Sequence, residues 1–160
     1  MKAEVHENHR WLAQLVGDWS YESEAQMGPG KPPAKVSGTE SVRALGEVWI
    51  LGESQSGMPG GGTAQMLITL GYDPLSGRFV GSWIGSMMTQ FWVYDGELDA
   101  ARKVLTLSAE GPDMSNPGSN TRFQDIIELV DSDHRILRSR MLGSDGQWHE
   151  FMVAHFRRIK

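Results

Sequence analysis

Hydrophobic and polar positions alternate along this chain from residue 17 almost to its end, whereas the residues before that point follow a helical spacing. Five apolar residues of the first segment share one broad helical face: Val5, Trp11, Leu12, Leu15 and Val16. This pattern predicts one helix over about residues 5–16. Gly17 follows it directly and is the residue type that typically caps a helix C-terminus.

The alternating part of the chain predicts about ten strands between about residues 18 and 158. Most are separated by tight turns typical of antiparallel neighbours, and Asp95–Gly96 carries a strong hairpin signal. Without a second helix for a parallel crossover, sequential strands form a meander, which leaves two exposed edges unless it closes. The pattern therefore predicts one all-β domain over residues 1–160, a closed antiparallel up-and-down barrel of about ten strands with one short N-terminal helix.

A glycine and a tryptophan at the junction of the helix with the first strand indicate how one end of the barrel is closed. Gly17 permits a tight change of direction, and Trp19 supplies a large flat side chain near the start of the first strand. A closed barrel places the last strand beside the first, so an arginine from its end can stack on this indole. Arg157 and Arg158 are both candidates, and strand parity does not separate them.

Gly-x-Trp on the first strand with a late arginine resembles the calycin superfamily of lipocalins and fatty-acid-binding proteins. A wider set of segments resembles the bacterial DUF1579 family, and it covers the chain from about Trp11 to Arg158. Those segments are "LVGDW", "GTESVRALGEVWILGE", "LGYDPLSGRFVGSWIGSM", "DGELD", "LTLSAEGPD" and "FRR". The resemblance implies a calycin-like closed barrel, and it implies no activity because the family has no established one.

Composition narrows the classes of partner and chemistry. The chain has 160 residues, a formal net charge of −5 and no cysteine, which excludes disulfides, thiolate metal sites and cysteine nucleophiles. The negative charge argues against a nucleic-acid partner. Polar residues fill the N-terminal region where a signal peptide needs an apolar core, and no apolar run is long enough for a membrane helix. We therefore expect a cytoplasmic protein without a membrane partner.

Four residues are the candidates for ligand binding in the barrel interior. Trp83 shares a strand face with Phe79 and two glycines, which predicts an inward, flat stacking platform. Trp92 and Arg138 are chosen by residue type and strand placement. His155 has the same parity as the apolar residues of the last strand, which predicts that it points into the barrel.

Catalytic and metal-binding patterns are sparse. His6 and His9 are three residues apart, one short of the H-E-x-x-H spacing, and no third ligand is evident, so we predict no metal site. No nucleophile elbow surrounds the serines at 82 and 86. Catalytic residues are therefore not assigned, and an enzyme is not the favoured interpretation.

Three hypotheses for function remain open at this stage. The first is an intracellular barrel that binds a small apolar or amphipathic molecule and needs no cofactor. The second is a haem-binding enzyme that uses His155, because nitrobindins resemble this outline and bind haem through a late histidine. Nitrobindins have two glycines after the first-strand tryptophan, where this chain has Ser20-Tyr21-Glu22. The third is a homodimeric interaction domain that uses the outer apolar faces of "QFWVY" and "GEVWIL".

Overall fold

A closed ten-stranded barrel with one short helix is the architecture of the computed structural model, which describes all 160 residues. The elements are α1 Glu7–Ala13, β1 Gly17–Ala25, β2 Ala34–Leu45, β3 Trp49–Gly57, β4 Thr63–Asp73, β5 Arg78–Gly85, β6 Trp92–Leu98, β7 Val104–Pro112, β8 Asn120–Asp131, β9 His134–Leu142 and β10 Trp148–Arg158. Each strand pairs antiparallel with its chain neighbour, and β1 also pairs with β10. The predicted up-and-down barrel is confirmed. None of the helical structure is long and apolar enough to cross a bilayer.

The helix is shorter than the pattern predicts, and both of its ends differ from the prediction. His6 is the N-cap: its ring accepts the Asn8 backbone N–H at 3.0 Å, and the His9 ring accepts the His6 backbone N–H at 2.8 Å. The C-cap is Gln14, so the prediction that Gly17 caps the helix is wrong. Gly17 instead begins β1 with a φ of 141°, and a Cβ there would lie 2.9 Å from the Lys160 carbonyl oxygen.

One end of the barrel, which we call the floor, is closed by α1. Five buried residues form its centre: Trp11, Leu12, Leu15, Trp19 and Phe79. The Trp11 indole N–H donates to the Arg102 carbonyl oxygen at 2.9 Å, which fixes the helix to the turn after β6. The Trp19 indole N–H donates to the Leu15 carbonyl oxygen at 2.9 Å. Apolar packing and these two bonds hold the helix across the barrel end.

The opposite end, which we call the mouth, consists of five connections because antiparallel strands reverse direction at alternating ends. They span residues 26–33, 58–62, 86–91, 113–119 and 143–147. The Asp95–Gly96 pair does not form one of the turns, so that hairpin prediction is wrong. It lies inside β6, where Gly96 is paired with Phe79 and Leu107, and the turn follows at residues 99–103.

Candidate functional site

A cavity of about 620 Å³ occupies the barrel between the floor and the mouth. Of the 32 residues that line it, 22 are hydrophobic, so the interior is mainly apolar. Only 26 of the 160 residues are buried, because many inward side chains face this cavity rather than one another. The barrel is therefore hollow and is not filled by its own tryptophan and methionine side chains.

Trp83 and Trp92 lie opposite each other on β5 and β6, and both line the cavity. Each ring lies beside a glycine that leaves room for it. A Cβ on Gly85 would lie 2.7 Å from the Trp83 ring, and a Cβ on Gly111 would overlap the Trp92 ring. Trp83 therefore points inward, as predicted for its face of β5. Ligand binding by the two indoles stays a prediction.

Arg138 and His155 lie on the outer surface, so the prediction that they lie in the barrel interior is wrong. The Arg138 guanidinium pairs with the Glu150 carboxylate at 3.2 Å and is 43% exposed. His155 is exposed, and its ring stacks on that of His134 with centroids 5.3 Å apart. The pairing of β10 with β9 shifts between Glu150 and Met152, which changes the parity on which the His155 prediction depended.

This placement removes the residue that the haem hypothesis requires. His155 points away from the cavity, and His134 beside it is also on the outer face. The lining of the cavity contains no histidine. A haem inside this barrel would have no histidine ligand, so the His155-based alternative does not fit the structure.

The inward arginine of β9 is Arg135. It is 4% exposed, it pairs with the carboxylate of Glu40, and its guanidinium carbon lies 4.0 Å from the Phe156 ring centre and 4.7 Å from that of Trp19. Burial lowers the pKa of Arg135, and the Glu40 charge opposes that shift. Glu40 on β2 is paired with Trp19 on β1, which places its carboxylate beside the floor. The Glu40–Arg135 ion pair therefore lies at the end of the cavity nearest the floor.

A second polar group in the cavity is Asp125 on β8. The Tyr94 hydroxyl donates to its Oδ2 at 2.5 Å, and the Ser139 hydroxyl donates to its Oδ1 at 2.6 Å. Asp125 is partly buried, and it lines the cavity. Burial raises the pKa of the Asp125 carboxyl, and the hydrogen bonds from Ser139 and Tyr94 oppose this. Sequence reasoning missed this residue.

The arginine that contacts Trp19 from the last strand is Arg158. Its guanidinium carbon lies 4.3 Å from the indole centre, and its two Nη atoms donate to the Val16 and Gln14 carbonyl oxygens at 2.6 and 2.8 Å. Arg157 is exposed on the outer face. The register Trp19↔Arg158 therefore decides between the two candidates that parity left open.

Only some residues of the predicted dimer surface are both apolar and exposed to solvent. Trp49 is 42% exposed, and its ring covers Gly71 on the neighbouring strand, where a Cβ would overlap it. Phe91 and Val93 are each 60% exposed. A homodimer stays a prediction.

Comparison with known proteins gives a family and a fold. The sequence model of the DUF1579 family, described as a protein of unknown function, matches residues 4–158. No curated protein sequence matches the chain. Among solved structures, Rv2717c from M. tuberculosis is 13% identical, with 98% of this chain and 100% of that chain covered and a TM-score of 0.64.

Two further barrels are similar in structure. The S-type phycobiliprotein lyase CPES from Guillardia theta is 10% identical, with 99% of each chain covered and a TM-score of 0.57. EF1p2_mFAP2b, solved bound to DFHBI, is 11% identical, with 94% of this chain and 98% of that chain covered and a TM-score of 0.51. At these identities the likeness shows the barrel fold alone.

Proposed function

The chain belongs to the DUF1579 family, whose function is unknown, and from its cavity we propose that it binds a small, largely apolar molecule inside the barrel. The observation that carries this proposal is the hollow interior. Its volume of about 620 Å³ falls within the range of roughly 300–1,000 Å³ that is usual for small-molecule sites.

The composition of the lining favours an apolar body with few polar groups. Trp83 and Trp92 present large aromatic surfaces to the part of the cavity nearest the mouth. Aliphatic side chains such as Ile68 and Leu137 line the cavity elsewhere. The acidic and basic side chains are few and lie in two places, the Glu40–Arg135 pair and Asp125. Sites of this kind gain most of their affinity from apolar burial and their orientation from a few polar contacts.

A barrel of similar fold supports the capacity for such binding. EF1p2_mFAP2b is bound to DFHBI, a small molecule, although it is only 11% identical to this chain. The likeness supports the capacity of the fold, and the identity of the ligand must come from this chain's own lining residues.

A matched pair of substitutions tests whether binding occurs in the cavity. Ile68 lines the cavity on β4, whereas Ile84 on the paired strand is 44% exposed on the outer face. We expect the wild-type protein to bind N-phenyl-1-naphthylamine, an apolar fluorescent probe, with saturable enhancement of its emission. Ile68→Trp fills part of the cavity and should weaken this binding about tenfold or more. Ile84→Trp is the same change outside the barrel and should leave the affinity unchanged.

Two results would contradict the proposal. One is the absence of saturable binding by folded wild-type protein. The other is equal loss of binding in both tryptophan variants, since that would place the probe on the outer surface. Native mass spectrometry of protein purified under mild conditions gives an independent readout, because a retained molecule appears as added mass.

A further inference from the structure

We infer that Asp125, held by Tyr94 and Ser139, recognises the polar end of the ligand, and that the preferred ligand is an apolar molecule bearing a protonated amine. This inference rests on the proposed function, because it names the chemical class bound in the same cavity. The three residues come from β8, β6 and β9, and all of them line that cavity.

The hydrogen bonds around Asp125 are those of a carboxylate prepared to accept a further donor. Its two oxygens accept hydroxyl hydrogen bonds from Tyr94 at 2.5 Å and from Ser139 at 2.6 Å. Both bonds favour the ionised carboxylate and oppose the effect of burial on its pKa. Tyr94 and Ser139 each have one hydroxyl proton, and both protons are committed to Asp125. A carboxylate offers about four acceptor positions, so positions remain for a donor in the cavity.

The charges of the lining favour a cationic donor over an anionic one. Arg135 is the one basic residue that lines the cavity, and it is paired with Glu40. Asp125 has no basic partner, so the lining carries an uncompensated acid. An ammonium beside Asp125 would supply the missing countercharge, whereas a ligand carboxylate would meet both acids.

The positions of the aromatic side chains set the direction in which such a ligand lies. Trp92 is two residues from Tyr94 on the inward face of β6, on the side of the mouth. Phe123 is two residues from Asp125 on β8, and its ring is 4.9 Å from that of Trp92 at a nearly perpendicular angle. An amine bound at Asp125 therefore places the apolar body against Trp92 and Phe123, with the rest of the molecule toward the mouth.

Three probes that share one ring system and differ in charge test this inference at neutral pH. They are 1-naphthylmethylamine, 1-naphthylmethanol and 1-naphthoate, with binding followed by calorimetry. We expect wild-type protein to bind the amine about tenfold or more tightly than the alcohol, and the carboxylate most weakly. Asp125→Asn keeps the shape of the side chain and removes its charge. This variant should lose most of the preference for the amine while its affinity for the alcohol stays within about twofold.

The control is Glu150→Gln, the same loss of a carboxylate on the outer face of the barrel, where Glu150 pairs with Arg138. It should retain the wild-type order of affinities. The order measured on wild-type protein tests the inference even if Asp125→Asn does not fold.

Each other outcome has a definite meaning. Equal binding of the three probes, or unchanged amine preference in folded Asp125→Asn, would overturn the inference and leave the proposed function standing. Preference for 1-naphthoate would also overturn it, since Arg135 would then be the recognition group. Failure of all three probes and of N-phenyl-1-naphthylamine to bind would overturn the proposed function itself.

Discussion

The floor and the mouth of this barrel are built from opposite kinds of contact. At the floor, Trp19 is 1% exposed, and Arg158 and Arg135 both contact its ring. At the mouth, four of the five connections carry exposed methionines: Met27, Met58, Met87, Met88 and Met114. The floor thus buries its two tryptophans and gives each indole N–H a carbonyl acceptor, while the mouth leaves large flexible side chains in solvent.

This difference suggests separate roles for the two ends: the floor contributes stability to the fold, and the mouth would give the proposed ligand access to the cavity. The floor joins the first helix, the first strand and the last strand, so its contacts close the barrel as well as cover its end. The mouth connections include the Gly60–Gly62 run, in which every residue has positive φ. Segments with few buried contacts open at low free-energy cost, so the mouth is the end through which the proposed ligand would enter.

The largest effect we expect is from removal of the floor tryptophan. Trp19→Ala deletes a fully buried indole and its hydrogen bond to the Leu15 carbonyl oxygen. It should lower the free energy of unfolding by about 3–5 kcal/mol, the usual range for deletion of a large core side chain. Chemical denaturation followed by circular dichroism measures this change.

The matched variant at the other end of the barrel is Trp92→Ala. Trp92 is only half-buried and faces the cavity, so the same truncation should cost about 1–2 kcal/mol. Equal losses in the two variants would mean that the floor has no special share in stability, and the contrast between the two ends would fail.

A smaller effect is expected from the adjacent arginines at the end of β10. Arg158→Met leaves the Val16, Gln14 and Ser132 carbonyl oxygens without their guanidinium donor and removes the contact with Trp19. We expect a loss of about 2–3 kcal/mol in the free energy of unfolding. Arg157→Met is the control, because Arg157 is exposed, and its effect should stay within about 0.5 kcal/mol. The reverse order would show that the register at the barrel seam is wrong.

The floor could be predicted from sequence because its determinants are local. Trp19 follows a helix and a glycine within a few residues, and the alternation after it leaves few other folds than a closed meander. The choice between Arg157 and Arg158 could not be made in the same way. It depends on the register between the two ends of the chain, which the sequence pattern does not encode.

The cavity was predicted less well, for reasons that differ from residue to residue. In "HRILRSRML" both alternating sets contain an arginine, so nothing local shows that Arg135 rather than Arg138 points inward; its partner Glu40 lies on a distant strand. His155 was misplaced because the shift in pairing on β10 interrupts a simple two-residue period. Asp125 did carry a signal, since it has the same parity as Phe123 and Ile127 on an otherwise apolar face.

The smallest effect should come from the mouth itself. Met114 is 74% exposed in the connection between β7 and β8, and it is one of the residues that line the cavity. Met114→Gln keeps a side chain of similar length and makes it polar, so it should change the free energy of unfolding by no more than about 0.5 kcal/mol. The measurement is the same chemical denaturation used for Trp19→Ala. A loss close to that of Trp19→Ala would mean that the mouth connections are packed as tightly as the floor, and the mouth could then no longer be regarded as the low-stability entrance of the barrel.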